Sequence, residues 1–179
     1  MEPLVHKKQI LRKGRVFNVT VENVTLSNGY TLDLEVIRHP GASAIVPVLD
    51  GDRVLMLKQY RHAVGRLIWE IPAGTFDGKE DPLICAQREL TEETGYTADH
   101  WDHLGSIIPV PGYSDETIHL FMASNLSPAR QALDQDEILE VHPLPLARVV
   151  EMIKSGEIQD GKTIAGIFFT LTQKFHLAP

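Results

Sequence analysis

Glutamates at helical spacing are the clearest sign of chemistry in this chain. Glu89, Glu92 and Glu93 lie within residues 74–96, directly after Arg88. If this segment is helical, residues three and four positions apart share one face, which brings Glu89 beside both other glutamates. Carboxylates this close repel one another, so a positive partner is expected beside them.

One arginine cannot neutralise these carboxylates together with Glu80, and this imbalance indicates a bound cation. Hard oxygen ligands without His or Cys favour Mg²⁺, or Mn²⁺, over zinc. The alternative interpretation is a solvated acidic helix face, which a short acidic string alone would favour.

The helix that would carry the glutamates has clear start and stop signals. Asp81 and Pro82 suit the N-cap and the first turn, and Gly95 suits the left-handed position after the last turn. The sequence therefore predicts a helix over residues 82–94.

The spacing of the whole segment is more specific than the glutamates alone. Gly74 is followed after five residues by Glu80, and after seven more by R-E-L-T-E-E-T-G at residues 88–95. This pattern resembles the Nudix box of the Nudix hydrolases, with Tyr96 standing where an aliphatic residue is usual. The resemblance implies an α/β/α sandwich with a mixed sheet and the box helix packed against it.

The resemblance also implies roles for individual residues. Glu89 and Glu93 would be the principal metal ligands, Glu92 an additional or water-mediated ligand, and the Ala73 carbonyl a backbone ligand. Glu92 and Arg88 are also candidate catalytic residues. The spacing of Arg88 from Glu92 equally suits an arginine that holds this carboxylate in place.

Motifs outside the box resemble the branch of the family that hydrolyses ADP-ribose and other nucleoside diphosphate sugars. They comprise R-H-P-G at 38–41, Q-Y-R at 59–61, I-P-A-G at 71–74, and Pro111, sixteen residues after Gly95. In this branch the loop after that proline places a carboxylate on the terminal ribose of the substrate. Glu116 is the candidate for that role here.

Three further residues are candidates for substrate binding. Arg38 and Arg61 could contact phosphate or nucleobase, and Tyr113 could offer its ring to base or sugar. The alternative is that the two arginines simply cover the surface.

An acidic loop, D-Q-D-E at residues 134–137, holds the candidate general base. The resemblance implies a glutamate here that takes a proton from the attacking water, and Glu137 is predicted to be that residue. One alignment of the loop places Gln135 at this position. The role would then move to Asp136, to Glu137 or back to a glutamate of the box.

Composition restricts the class of protein and its partners. The chain has 179 residues, 43% hydrophobic content, one cysteine and a net charge of −7, which together favour one main enzyme domain without a disulfide framework. The negative charge disfavours a nucleic-acid partner. No segment resembles a signal peptide or a membrane span, so a cytoplasmic enzyme with no membrane partner is expected.

The order of predicted elements suggests an α/β domain with a small N-terminal addition. Two alternating stretches flank the turn at 27–29, so residues 1–40 are predicted to form a β unit. Such a small sheet buries little surface alone, and a homodimer through it is expected. Residues 41–179 would form the Nudix hydrolase domain, ending in a helix over about residues 163–175.

One phosphate-loop pattern has the wrong context. G-E-I-Q-D-G-K-T at residues 156–163 matches the motif letter for letter, but it follows an amphipathic helix rather than a buried strand. The segment is therefore predicted to be a turn between helices, in which Lys162 could be replaced without loss of activity.

These observations together predict a Mg²⁺-dependent pyrophosphohydrolase. Its substrate would be ADP-ribose or a related nucleoside diphosphate sugar, cleaved to a nucleoside monophosphate and a sugar phosphate. Two alternatives stay open: hydrolysis of another nucleoside diphosphate linked to a different group, and a non-catalytic Nudix-like sensor of sugar nucleotides.

Overall fold

A computed structural model describes residues 2–174 and contains two compact units. The first comprises the chain up to Gly41 together with Ile108–Thr117, and the second comprises Ala42–Ile107 and the chain from Ile118 onward. The sequence analysis places 108–117 in the main domain, whereas the structure places this loop in the first unit. Phe175, at the predicted end of the last helix, lies outside the described residues.

The first unit is a sheet of three antiparallel strands in the order β1-β2-β3. The strands are β1 (Leu4–Lys13), β2 (Asn18–Thr25) and β3 (Thr31–Arg38). The hairpin of β2 and β3 was predicted, and Gly29 takes a φ of 85° in its turn. The edge strand β1 was not predicted, because L-V-H-K-K-Q-I-L-R-K lacks a two-residue alternation. Every residue of β1 is exposed.

A buried glutamate organises this small sheet. Glu22 is 4% exposed and accepts hydrogen bonds from Arg38, with Nε to Oε1 at 2.9 Å and Nη2 to Oε2 at 2.6 Å. The Lys8 ammonium lies 3.2 Å from the same carboxylate. The hydrogen bonds from Arg38 lower the pKa of Glu22 to about 2, although burial opposes the shift.

The same arginine fastens the loop 108–117 to the end of β3. Arg38 Nη1 donates to Asp115 Oδ2 at 3.0 Å, and the His39 N–H donates to Asp115 Oδ1 at 2.8 Å. The Ile37 N–H donates to the Tyr113 carbonyl at 2.7 Å. The loop is therefore a structural part of the first unit.

The second unit contains two sheets, in the orders β10-β5-β6 and β7-β4-β9-β8. Only β4 and β9 pair in parallel among these strands, so the four-stranded sheet is mixed. The strands are β4 (Ala42–Pro47), β5 (Arg53–Arg61), β6 (Arg66–Glu70), β7 (Ala73–Thr75), β8 (Tyr96–Ile107), β9 (Ile118–Pro128) and β10 (Leu139–Pro145).

Three helices pack against the sheets: α1 (Pro82–Thr94), α2 (Leu146–Ser155) and α3 (Gly161–Lys174). All six residues of β4 are buried because both of its faces are covered. Ile45 packs in one apolar cluster with Ala86 and Leu90 of α1. Ala44 and Val46 pack in a second cluster with residues of α2 and α3. This arrangement confirms the predicted α/β/α sandwich.

Strands β4 and β5 follow each other in the chain but lie in different sheets. The turn at 50–52 connects them, and beside it the described residues form an isolated bridge between Val48 and Val54. The chain leaves one sheet here and enters the other. Within residues 2–174, no helix is long and apolar enough to cross a membrane.

Replacing Glu22 by glutamine should destabilise the protein by about 2 kcal/mol at pH 7, as expected for lost hydrogen bonds to a charged group. The depressed pKa means that this stabilisation is complete above the ordinary value of 4.5 and is lost as the pH falls towards about 2. Urea unfolding of both proteins from pH 7 to pH 3 measures the difference. A gap that stayed constant over this range would contradict the ion-pair explanation.

Candidate active site

The acidic helix begins and ends where the sequence predicts. The Asp81 side chain accepts from the Leu83 N–H at 2.9 Å and caps the first turn. Gly95 takes a φ of 72°, and its N–H donates to the Thr91 carbonyl. The cap and the left-handed stop are local signals, so α1 was recognisable from sequence alone.

Two glutamates of α1 are buried rather than solvated. Glu93 is 1% exposed and Glu89 is 8% exposed. The Glu93 Oε2 accepts the Ala73 N–H at 2.9 Å. The first peptide of β7 therefore holds the carboxylate of Glu93, and the alternative of a simply solvated acidic face is excluded for these two residues.

Gly74 makes this close arrangement possible. A Cβ built on Gly74 would lie 1.7 Å from Glu89 Oε1 and 1.9 Å from its carboxyl carbon. Any side chain here would displace Glu89, so the glycine is required by close approach. The Cys85 thiol donates to the Gly74 carbonyl at 3.4 Å and holds the same loop against α1.

Arg88 links the carboxylates of the box. Its Nε and Nη2 donate to Glu80 at 3.0 and 2.9 Å. Its Nη1 donates to Glu89 at 2.6 Å and to Glu92 at 3.0 Å. These contacts show Arg88 as the residue that positions the acidic cluster, in agreement with the expectation that it holds Glu92.

Burial raises the pKa of Glu89, and it raises the pKa of Glu93 well above the ordinary value. The negative charge of Glu89 is the next cause of the shift at Glu93, and the charge of Glu137 adds to the shift at both residues. Two buried carboxylates this close are costly without a cation.

The acidic loop before β10 is anchored on the end of α1. Gln131 donates to the Glu93 carbonyl at 2.6 Å, and the Ala132 N–H donates to the Glu92 carbonyl at 3.0 Å. Glu137 then lies close enough for its charge to affect Glu89 and Glu93.

Glu137 is less exposed than its neighbours in this loop. Glu137 is half-buried, whereas Asp134, Gln135 and Asp136 are exposed. The Asp134 N–H donates to the Glu137 carboxylate at 2.9 Å. Glu137 therefore differs from the other acidic residues of the loop in burial, and its role as general base stays a prediction.

The donor set fits a hard divalent cation. Buried carboxylates of Glu89 and Glu93 lie beside the Ala73 peptide, and Gly74 leaves room for their close approach. Within residues 2–174, no three His, Cys, Asp or Glu side chains already converge as a finished metal site. Because Arg88 now binds Glu89 and Glu92, a cation would have to replace part of that contact.

The candidate substrate residues are distributed over both units. Arg38, Tyr113 and Glu116 belong to the first unit, where Tyr113 is exposed and Glu116 lies 3.8 Å from the His39 ring. All three guanidinium nitrogens of Arg38 bind Glu22 or Asp115. Arg38 therefore has a structural role in this unit, and a contact with substrate stays a prediction.

Arg61 belongs to the second unit and is also paired. Its Nε and Nη2 donate to the two oxygens of Glu70 at 2.7 and 3.0 Å. Burial opposes the charge of Arg61, yet Glu70 outweighs it and raises the pKa of Arg61, with a further contribution from Glu93. Arg61 thus lies within electrostatic reach of the acidic site.

The phosphate-loop pattern covers the turn after α2 and the first residues of α3, so it connects two helices as predicted. The Lys162 side chain is 12% exposed and is paired with Glu70, which is 1% exposed. This pairing argues against the prediction that Lys162 is freely replaceable, which a variant has to test. The buried position of Glu70 was not predicted from the sequence. The signal that could have identified it is a glutamate among the apolar residues L-I-W-E-I at 67–71.

Comparison with known proteins decides the family. The model of the NUDIX domain matches residues 38–166, which is more than half of the chain. The chain belongs to the Nudix family. The segment at 74–96 is therefore a Nudix box, as the sequence analysis inferred.

Two curated relatives and one solved structure are similar over nearly the whole chain. "Methanol dehydrogenase activator" of Bacillus methanolicus is 38% identical over 97% of this chain and 94% of its own length. "ADP-ribose pyrophosphatase" of Bacillus subtilis is 39% identical over 93% of this chain and 90% of its own. A crystal structure titled "ADP compounds hydrolase" shares the fold, with a TM-score of 0.84 at 22% identity over 97% of this chain and 96% of its own.

Replacing Glu93 by glutamine should reduce turnover by at least about 100-fold, since even partners outside the metal's own ligands are worth about 10- to 100-fold. Glutamine can still accept the Ala73 N–H, and it removes a buried charge, so the metal-free variant should unfold no more easily than the wild type. Turnover at saturating Mg²⁺ tests the expected loss of activity, and thermal unfolding tests the expected stability. A variant with near wild-type turnover would refute the assignment of Glu93.

Proposed function

We propose that this Nudix hydrolase cleaves ADP-ribose, or a related nucleoside diphosphate sugar, with Mg²⁺ as its cofactor. The observation that carries the proposal is the pair of buried carboxylates, Glu89 and Glu93, held between Arg88 and the Ala73 peptide. Relatives of this chain include one named as an ADP-ribose pyrophosphatase. Mn²⁺ would be an effective substitute, because it also takes oxygen ligands.

The reaction would transfer a phosphoryl group to water. A new bond forms between the water oxygen and phosphorus, the bridging P–O bond breaks, and the products are a nucleoside monophosphate and a sugar phosphate. Glu89 and Glu93, with Glu92 and the Ala73 carbonyl, would hold the cation, which neutralises the diphosphate and acidifies the water. Glu137 would take the proton that the water loses.

The remaining candidates would bind the substrate. Tyr113 is exposed and can stack on a base or sugar, and Glu116 can accept from ribose hydroxyls. Arg61 retains one nitrogen beyond its contacts with Glu70 for a phosphate oxygen. Arg38 would act chiefly through its ion pairs in the first unit.

A substrate panel tests the proposal directly. ADP-ribose, ADP-glucose, UDP-glucose and GDP-mannose would be incubated with the enzyme, with and without Mg²⁺, and the nucleoside monophosphate released would be measured. We expect release that depends on Mg²⁺ and is fastest for one member of this class. No release from any member, while another compound with a diphosphate bridge is cleaved, would contradict the proposed substrate class.

One observation favours a second role alongside hydrolysis. A relative that matches 97% of this chain is named as an activator of methanol dehydrogenase. We therefore keep activation of another enzyme as a second candidate function, beside the non-catalytic sensor that the sequence left open. The Glu93→Gln variant tests whether an effect on a partner enzyme requires hydrolysis, because a non-catalytic sensor would retain that effect without turnover.

We further propose that the protein is a cytoplasmic homodimer assembled through the first unit. β1 is exposed along its whole length, and it carries Val5 and Ile10 at 51% and 58% exposure. Both pair across from residues on the buried face of β2. An apolar face of this kind is suited to a second copy of the chain. The single cysteine, Cys85, is buried and unpaired, which suits a reducing compartment.

Replacing Val5 and Ile10 together by aspartate should convert the dimer into a monomer, since charges would face the proposed contact. Phe168→Asp is a matched control at an apolar residue with 61% exposure in the second unit. Sedimentation velocity measures the oligomeric state of all three proteins. A double variant that stayed dimeric, or a wild type that was monomeric at micromolar concentration, would contradict the proposed interface.

A further inference from the structure

A buried ionic cluster joins the end of β6 to the start of α3, and the proposed reaction gives no role to its members Glu70, Asp160 and Lys162. Glu70, the last residue of β6, is 1% exposed and binds both Arg61 and Lys162. Lys162 also donates to Asp160 at 3.1 Å. Asp160 accepts from the Thr163 N–H at 3.0 Å and from its hydroxyl at 2.6 Å, so it caps the first turn of α3.

This cluster is joined to the chain segment that leads into the acidic site. The Ile71 N–H donates to the Thr163 hydroxyl oxygen at 2.9 Å. The next carbonyl, that of Pro72, accepts from the Ile45 N–H at 2.9 Å. The following N–H, that of Ala73, donates to Glu93. Four successive residues, 70–73, are therefore each fixed by a hydrogen bond or an ion pair.

We infer that Lys162 is a positioning residue for the metal site. Through Glu70 and the capped start of α3, it fixes the segment 70–73, which places the Ala73 peptide against Glu93. The inference rests on the proposed function for its link to catalysis, but the contacts themselves are independent of it. Within residues 2–174 the ion pairs of Lys162 are with Glu70 and Asp160, neither of which belongs to α1, so its effect would pass through the backbone of this segment.

The geometry explains why a lysine is needed at this place. Glu70 is almost fully buried, and Arg61 alone would leave each of its two oxygens with a single donor. Removing the lysine leaves Glu70 and Asp160 with an unbalanced buried charge, which the segment can relieve only by moving. Arginine at this position would keep the positive charge and its donors.

The test uses the full-length protein and Mn²⁺ as a probe of the site. Lys162→Met removes the charge at similar length, Lys162→Arg retains it, and Lys154→Met is a control at an exposed lysine on α2. Mn²⁺ affinity would be measured by electron paramagnetic resonance. The kcat and KM for the best substrate, and the folded fraction by circular dichroism, would be measured on the same samples.

We expect Lys162→Met to weaken Mn²⁺ binding and to lower kcat, each by about 10-fold, the lower range for residues that orient metal ligands. KM should change by less than about twofold, Lys162→Arg should recover most of the loss, and Lys154→Met should match the wild type. If Lys162→Met folds poorly, Asp160→Asn provides a milder variant with the same expected direction.

The inference would be overturned if Lys162→Met bound Mn²⁺ as tightly as the wild type and had the same kcat per folded molecule. A loss that Lys162→Arg does not recover would overturn it as well. Failure of the proposed function looks different: the wild type would hydrolyse none of the substrates, while the comparison of Mn²⁺ affinities would still decide the role of Lys162.

Discussion

The structure depends on one unfavourable arrangement, two carboxylates buried side by side on the box helix. Glu89 and Glu93 lose most of their hydration, and the charge of Glu89 raises the cost of charging Glu93. The elements around them reduce this cost. The Ala73 N–H binds Glu93, Arg88 binds Glu89, and Gly74 permits the close approach that any side chain would prevent. A site arranged in this way favours a divalent cation.

Arginine paired with a buried glutamate recurs throughout the molecule. Arg38 binds Glu22 in the first unit. In the second unit, Arg61 binds Glu70 and Arg88 binds Glu89 of the Nudix box. Arg38 and Arg61 are the last residues of their strands, whereas Arg88 lies within α1. The arginines that sequence suggests for substrate are therefore first of all structural, because a guanidinium that is already paired in a fixed geometry positions its neighbours.

The parts of the fold that follow from local chemistry could be predicted from sequence. Helix α1 is defined by an aspartate cap, a proline and a final glycine, and the box spacing identifies its acidic face. The buried strand β4 is apolar except for Ser43. Each of these signals depends on residues close together in the sequence and indicates one kind of local structure.

The unpredicted parts depend on contacts between distant residues. β1 mixes polar and apolar residues without alternation and is recognisable only through its pairing with β2. The loop 108–117 joins the first unit through Asp115 and Arg38. Glu70 and Lys162 are 92 residues apart, so no local pattern reveals their pair. The apparent phosphate loop is the opposite case: its local pattern matches the motif, but a helix rather than a buried strand precedes it.

The metal assignment is tested most directly by the position of a bound cation in a crystal grown with Mn²⁺, located by anomalous scattering. We expect a peak bound by Glu89, Glu93 and the Ala73 carbonyl, with Arg88 Nη1 withdrawn from Glu89. A peak elsewhere, or an intact Arg88–Glu89 contact beside a cation that Glu93 does not touch, would contradict it.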